Sequence, residues 1–86
     1  MEATSTAAHS RIVTVRVNNQ EVIFNVHKAT GLEIKETAIK QGVQIEPDFV
    51  LSEMVDQGNL KPIRDDEEVT LHRHQQFIAV APDDNS

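Results

Sequence analysis

The stretch from Ala29 to Gly42 constrains this chain more than any other, because its sequence dictates both ends of a helix. Thr30 is a good N-cap: its hydroxyl accepts from a free amide of the first turn, and Glu33, three residues on, reaches back to the cap's own amide. Gly42 takes the left-handed conformation that closes a helix, and Lys40 places positive charge in the last turn, where the dipole favours it. Ile34 and Ala38 share one face at i, i+4, while Leu32, Ile39 and Val43 form a second line. The first line is expected to face a sheet, the second to pack against the sheet edge and loops.

Strand patterns flank this helix. From Arg11 to Val17, Val13, Val15 and Val17 alternate with Thr14 and Arg16, as in a half-buried strand, with Ile12 as the exception. Asn18-Asn19 supplies the tolerance of positive φ that a tight hairpin needs. Glu21 to Val26 follows, with Val22, Phe24 and Val26 on the expected core side. His27 and Lys28 then lead into the helix.

After Gly42 the chain runs through a connection in which Pro47 bars a central strand position. Phe49 to Val55 is a third strand, and Gln57-Gly58-Asn59 is a turn leading to Leu60, Pro62 and Ile63, expected to plug the open end of the core. Asp65-Asp66-Glu67-Glu68 reads as a solvated turn. Val69-Thr70-Leu71-His72 begins the last strand, with Val69 and Leu71 inward. Arg73 to Gln76 interrupts it with a bulge or turn, and Phe77 to Val80 resumes it. His72 and His74, two apart on one strand face, have a spacing that zinc sites use, yet lack a third ligand in view and read as exposed strand histidines. No metal or other cofactor is expected.

An 86-residue chain fits one small domain, and a domain of this size buries only about 60% of its unfolded surface. The expected organisation is an arm over residues 1–10, a domain over 11–80 and a tail over 81–86. Met1 to Ser10 and Ala81 to Ser86 are too polar to offset the entropy of ordering them. The apolar residues are mostly Val, Ile and Leu with three Phe and no Trp or Tyr, so the core is aliphatic and β-rich. No run approaches a membrane span and Met1 to Ser10 has no signal-peptide h-region, so the expected compartment is the cytoplasm. The absence of cysteine removes thiol catalysis, disulfides and thiolate ligands together,.

Eight carboxylates between Glu46 and Glu68, against Lys61 and Arg64, account for the whole net charge of −6. Nucleic-acid binding is disfavoured, because affinity for phosphate rests on clustered Lys and Arg. A protein partner suits this balance better. There is no nucleophile motif, phosphate loop or acid cluster with a converging histidine, so no enzymatic activity is expected.

Strand, hairpin, strand, capped helix, strand, Gly-containing turn, acidic turn and final strand is the order of a β-grasp: an α+β fold with a mixed four- to five-stranded sheet packed on one helix. On Val13-x-Val15-x-Val17, Val22-x-Phe24-x-Val26, the Thr30 to Gly42 helix, Gly58-Asn59-Leu60, Asp65 to Glu68 and Val69-Thr70-Leu71, the chain resembles ubiquitin-like proteins. More narrowly, Val17-Asn18-Asn19, Thr30-Gly31-x-x-Ile34 and the Phe77 strand are similar to the bacterial multiubiquitin family, which is encoded beside E1-like, E2-like and peptidase partners.

The resemblance implies a covalent modifier whose C-terminal carboxylate is adenylated by an E1-like enzyme, passed to an E2-like enzyme and joined to a target protein. The conjugation tail would be Pro82, Asp83, Asp84, Asn85 and Ser86. It departs from ubiquitin in having no Gly-Gly. A side-chain-bearing end requires a wider channel in its activating enzyme, and trimming of Ser86 by a processing peptidase would make Asn85 the acyl donor. The partner-binding face would be Thr70, His72 and His74 beside residues of Phe49 to Val55, on the side where ubiquitin carries a hydrophobic patch and here more polar. Histidines there would tie affinity to pH near neutrality. Lys28, Lys35, Lys40 and Lys61 are candidate acceptors for chain formation, and an exposed edge strand would permit self-association. Two alternatives stand beside this reading: a β-grasp adaptor that binds partners without conjugation, and a sulfur carrier, which likewise relies on a terminal Gly-Gly.

Overall fold

The computed structural model describes residues 12–56 and 58–82. The proposed arm at residues 1–10, Arg11, Gln57 of the predicted turn and tail residues 83–86 lie outside the described residues. Among the described residues seven strands and one helix follow in order: β1 Val13–Val17, β2 Gln20–Phe24, β3 Lys28–Thr30, α1 Gly31–Lys40, β4 Val50–Asp56, β5 Asn59–Ile63, β6 Glu68–Thr70 and β7 Gln76–Val80.

The main sheet has the order β2-β1-β7-β4-β5, with β1 and β7 parallel and the other neighbours antiparallel. With α1 across its inner face this mixed five-stranded sheet is the β-grasp arrangement. β3 and β6 form a separate two-stranded ribbon pairing Ala29 with Val69. The Asn18-Asn19 turn has φ of 53° and 68°, as a two-residue hairpin matched to strand twist demands.

Both ends of α1 close as the sequence predicts. Thr30 Oγ1 accepts from the Glu33 amide at 3.1 Å and Glu33 Oε1 accepts from the Thr30 amide at 2.9 Å. At the other end the Val43 amide donates to the Ala38 carbonyl and Gly42, at φ 102°, donates to Ile39, a Schellman closure. Ile34 and Ala38 are fully buried beneath the sheet with Val15, Val17, Val22, Leu51 and Phe77, while Leu32 and Ile39 are half-buried at the margin.

Four expectations are corrected. Val26 is exposed, because β2 stops at Phe24 and its alternation stops there too. Of the segment meant to plug the core only Ile63 is buried; it belongs to β5, where alternation turns Leu60 and Pro62 outward. Glu68 to Thr70 does not begin the last strand but pairs with β3, and Leu71 then donates to the His27 carbonyl at 2.7 Å. The acidic turn is docked rather than merely solvated: the Asp65 and Glu67 carbonyls accept from Leu32 and Gly31 at 3.1 and 3.0 Å, satisfying first-turn amides of α1,. Gly31 is required there, since a Cβ would run into the Arg64 carbonyl.

The sheet edges are closed by side chains. At β2 the Gln41 amide donates to the Ile23 carbonyl at 2.7 Å and accepts from the Ile23 amide at 2.9 Å, filling the positions an added strand would use. At β5, Pro62 has no N–H to offer,.

Candidate functional site

The outer face of the sheet, opposite α1, carries the candidate site. Side chains alternate along a strand, so with Leu51 of β4 and Phe77 and Ala79 of β7 buried inward, Val50, Ser52 and Met54 face out beside Val80 and Ile78. Register extends the row to β5: Ser52 lies opposite Pro62 and Met54 opposite Leu60. Val50, Leu60 and Val80 are 46, 50 and 52% exposed and Met54 36%, a contiguous apolar patch of the kind that marks interaction surfaces. This corrects the expectation of a polar outward face.

The patch runs into the base of the C-terminal tail. Val80 is both the last residue of β7 and a member of the patch, and Ala81 and Pro82 continue from it, exposed. On its β1 side β7 is held by an amide. Asn18 Nδ2 donates to the Ala79 carbonyl at 3.0 Å, and the Ala79 amide donates to Asn18 Oδ1 at 2.9 Å.

A family model described as Multiubiquitin matches residues 13–83, nearly the whole described domain. The chain belongs to the multiubiquitin family. Comparison with curated proteins and with solved structures returned no match. The multiubiquitin domain is therefore ubiquitin-like in family as well as in fold, and proteins are its natural class of partner. No helix among the described residues is long and apolar enough to cross a membrane.

Within this multiubiquitin domain the residues expected on the binding face separate. Thr70 and His72 line a small polar depression of about 200 Å³ with Glu53, Lys61, Glu67 and Glu68, away from the outward row. His74 sits at φ 68° in the turn after β6, where its amide donates to the Thr14 carbonyl at 3.1 Å. The two histidines thus share no strand face, since residues 71–75 lie outside any strand. Gln75 knits this turn: its side chain accepts from the His72 amide at 2.8 Å and donates to Glu53 at 2.9 Å and to the Thr70 carbonyl at 3.2 Å. Of the tail residues, Pro82 is described and exposed, and Asp83, Asp84, Asn85 and Ser86 lie outside the described residues.

Among the lysines proposed as acceptors, Lys28, Lys40 and Lys61 are exposed, but Lys35 is only 2% exposed. All three of its ammonium hydrogens have acceptors: the Pro47 and Phe49 carbonyls at 2.6 and 2.7 Å and Asp65 Oδ1 at 2.7 Å,. Lys35 is therefore a brace, pinning α1 to the Pro47 connection and to the acidic turn, and its amine is unavailable in the folded protein. The signal was in the sequence, since Lys35 lies between Gly31, Ile34 and Ala38 on the buried face of a helix,. Asn18, Gln41 and Gln75 had no such local signal, because their partners are remote in the chain.

A broader open groove of about 750 Å³ runs between β2 and α1, where Ile12, Ile23 and Val26 are exposed. Its rim sets Lys28 and Lys40 against Glu33 and Glu36, giving no net charge with which to select a ligand.

Proposed function

We propose that this protein is a ubiquitin-like modifier, joined to target proteins through its C-terminus by E1-like and E2-like partners. The observation that carries this reading is the continuity at Val80, where the exposed apolar face and the base of the tail are one surface. A partner seated on Val50, Met54, Leu60 and Val80 has the tail within reach. The six residues after Val80 span about 20 Å when extended, enough to thread a channel while the domain docks outside.

In the proposed sequence the terminal carboxylate attacks the α-phosphorus of ATP and pyrophosphate leaves. A partner thiolate then displaces AMP to form a thioester. After transfer to the E2-like enzyme, a target nucleophile displaces that thiol. The tail has no glycine, so the activating enzyme must admit side chains, and a processing peptidase that removes Ser86 makes Asn85 the donor. This chemistry belongs to the cytoplasm, where ATP is supplied.

The test mixes the full chain with ATP and the E1-like and E2-like proteins of a multiubiquitin system and measures intact mass. The expected result is an acyl adduct on the partner, lost on deletion of Asp84 to Ser86. The glycine-free tail together with the apolar face favours one other reading, a reversible adaptor. That reading is supported if partners bind the domain yet no adduct forms.

A further inference from the structure

β7 outruns the strand that pairs with it. β1 is parallel to β7 and ends at Val17, opposite Phe77, because the chain must turn at Asn18-Asn19. Ile78 to Val80 would therefore have no neighbour on that side. Asn18 fills the gap: its backbone amide donates to the Phe77 carbonyl at 3.0 Å, and its side-chain amide supplies the acceptor and donor that a continued β1 backbone would have offered Ala79. The left-handed φ of 53° at Asn18 is what lets one residue turn the chain and still extend the ladder. Asn19, at φ 68° and exposed, shares the backbone state.

We propose that Asn18 is the positioning residue of the C-terminal tail: its amide clasp on Ala79 fixes the point from which the tail leaves the body, and so the length of chain a tail-gripping enzyme must order. With the clasp, β7 is held on both sides through Ala79. Without it, β4 alone holds the last three residues of β7, and the loosened segment lengthens at the body end. Ordering one more residue when the tail is gripped slows capture about tenfold. The inference rests on the modifier reading for its biological meaning, but the geometry of release is measurable without it.

The test compares wild type with Asn18→Gly, which keeps the left-handed turn but removes the clasp, and with Asn18→Asp, which keeps the acceptor for the Ala79 amide and loses the donor. Asn19→Gly is the control for the turn. Each variant is first shown to retain the wild-type fold by its NMR amide spectrum away from β7. Two readouts follow: hydrogen exchange at the Ala79 and Val80 amides, and trimming by pancreatic elastase, which accepts small side chains at the cleaved position, followed by intact mass. Proline on the leaving side protects the Ala81–Pro82 bond, so the first bonds open to the protease follow Val80 and Ala79, and in wild type and Asn19→Gly these are expected to be cut slowly. In Asn18→Gly the same bonds should be cut about tenfold faster, with Asn18→Asp between them. In the ATP-dependent adduct assay, kcat/KM for Asn18→Gly should fall about tenfold.

Equal trimming sites and rates in wild type and Asn18→Gly overturn the proposal. So does an unchanged kcat/KM when wild type forms the adduct. If wild type forms no adduct while trimming is still faster in Asn18→Gly, the modifier reading fails and the positioning role stands.

Discussion

The two faces of the sheet are built from the same kind of residue and treated in opposite ways. On the inner face Val15, Val17, Val22, Leu51 and Phe77 are sealed beneath α1; one residue along the same strands, Val50 and Val80 stand half in solvent, beside Leu60 and Met54 on the flanking hairpin. Each fully buried aliphatic side chain contributes about 1.5–3 kcal/mol to folding, whereas the outer residues gain only what their cross-strand neighbours cover. The inner set is explained by stability. The outer set is not, and under the proposed function its explanation lies in what the domain meets.

The sharpest way to break this contrast is to cut adjacent residues of β4. Leu51→Ala removes a side chain that is 1% exposed and is expected to cost about 2–5 kcal/mol. Val50→Thr, on the neighbouring residue, is expected to stay within about 0.5 kcal/mol of wild type. Urea denaturation of both variants decides it, and equal losses would mean that the outer face is structural after all.

The next largest effect belongs to the polar counterpart of the core. Lys35→Met keeps the length of the side chain but leaves the Pro47 and Phe49 carbonyls without their donor, at an expected cost of about 2–4 kcal/mol. Asp65, 60% exposed, can turn to water and so limits the loss. The same geometry predicts that an amine-acylating reagent modifies Lys28, Lys40 and Lys61 in the native protein and spares Lys35 until it is unfolded, read by peptide mass.

What was legible in the sequence was what depends on near neighbours. The capping box, the glycine closure, the alternation of β1 and the Asn-Asn turn are each specified within a few residues, and all appear in place. The β3-β6 ribbon was not legible because three residues on each side carry too little pattern to announce a partner found only in the folded chain. Leu60 and Pro62 were misplaced by reading apolar as buried, although of this strand only Ile63 is buried and alternation from it turns both of them outward. The same error hid the site: the outer apolar row needs the register of three strands before it exists. Tail residues 83–86 lie outside the described structure, and their role stands on the family and on the position of Val80.

A smaller effect tests how the sheet keeps its edges to itself. Gln41→Leu removes both side-chain bonds to Ile23, an expected loss of about 1–2 kcal/mol. It also bares a strand edge beside the exposed Ile12, Ile23 and Val26. Sedimentation over a range of concentrations should then show self-association absent from wild type, because an unpaired edge is a template for a second copy. A Gln41→Leu protein that stays monomeric would mean that loop geometry, rather than the amide, guards this edge.

The smallest expected change in stability carries the most about function. Leu60→Ser with Val80→Thr removes apolar area from the outer row while both side chains are already half exposed, so unfolding should shift by less than about 1 kcal/mol for the pair. Binding is another matter. A partner that seats on this face desolvates both positions at once, and truncating central apolar contacts typically costs an interface more than about 1 kcal/mol at each anchor. Affinity for the E1-like partner is therefore expected to fall at least tenfold, measured by titration calorimetry with the tail intact. Had the tail alone been recognised, the paired variant would bind as wild type does, and the apolar face would lose its place in the mechanism. If instead affinity falls while the Asp84 to Ser86 deletion binds normally but forms no adduct, the domain separates docking on its outer face from chemistry at its end.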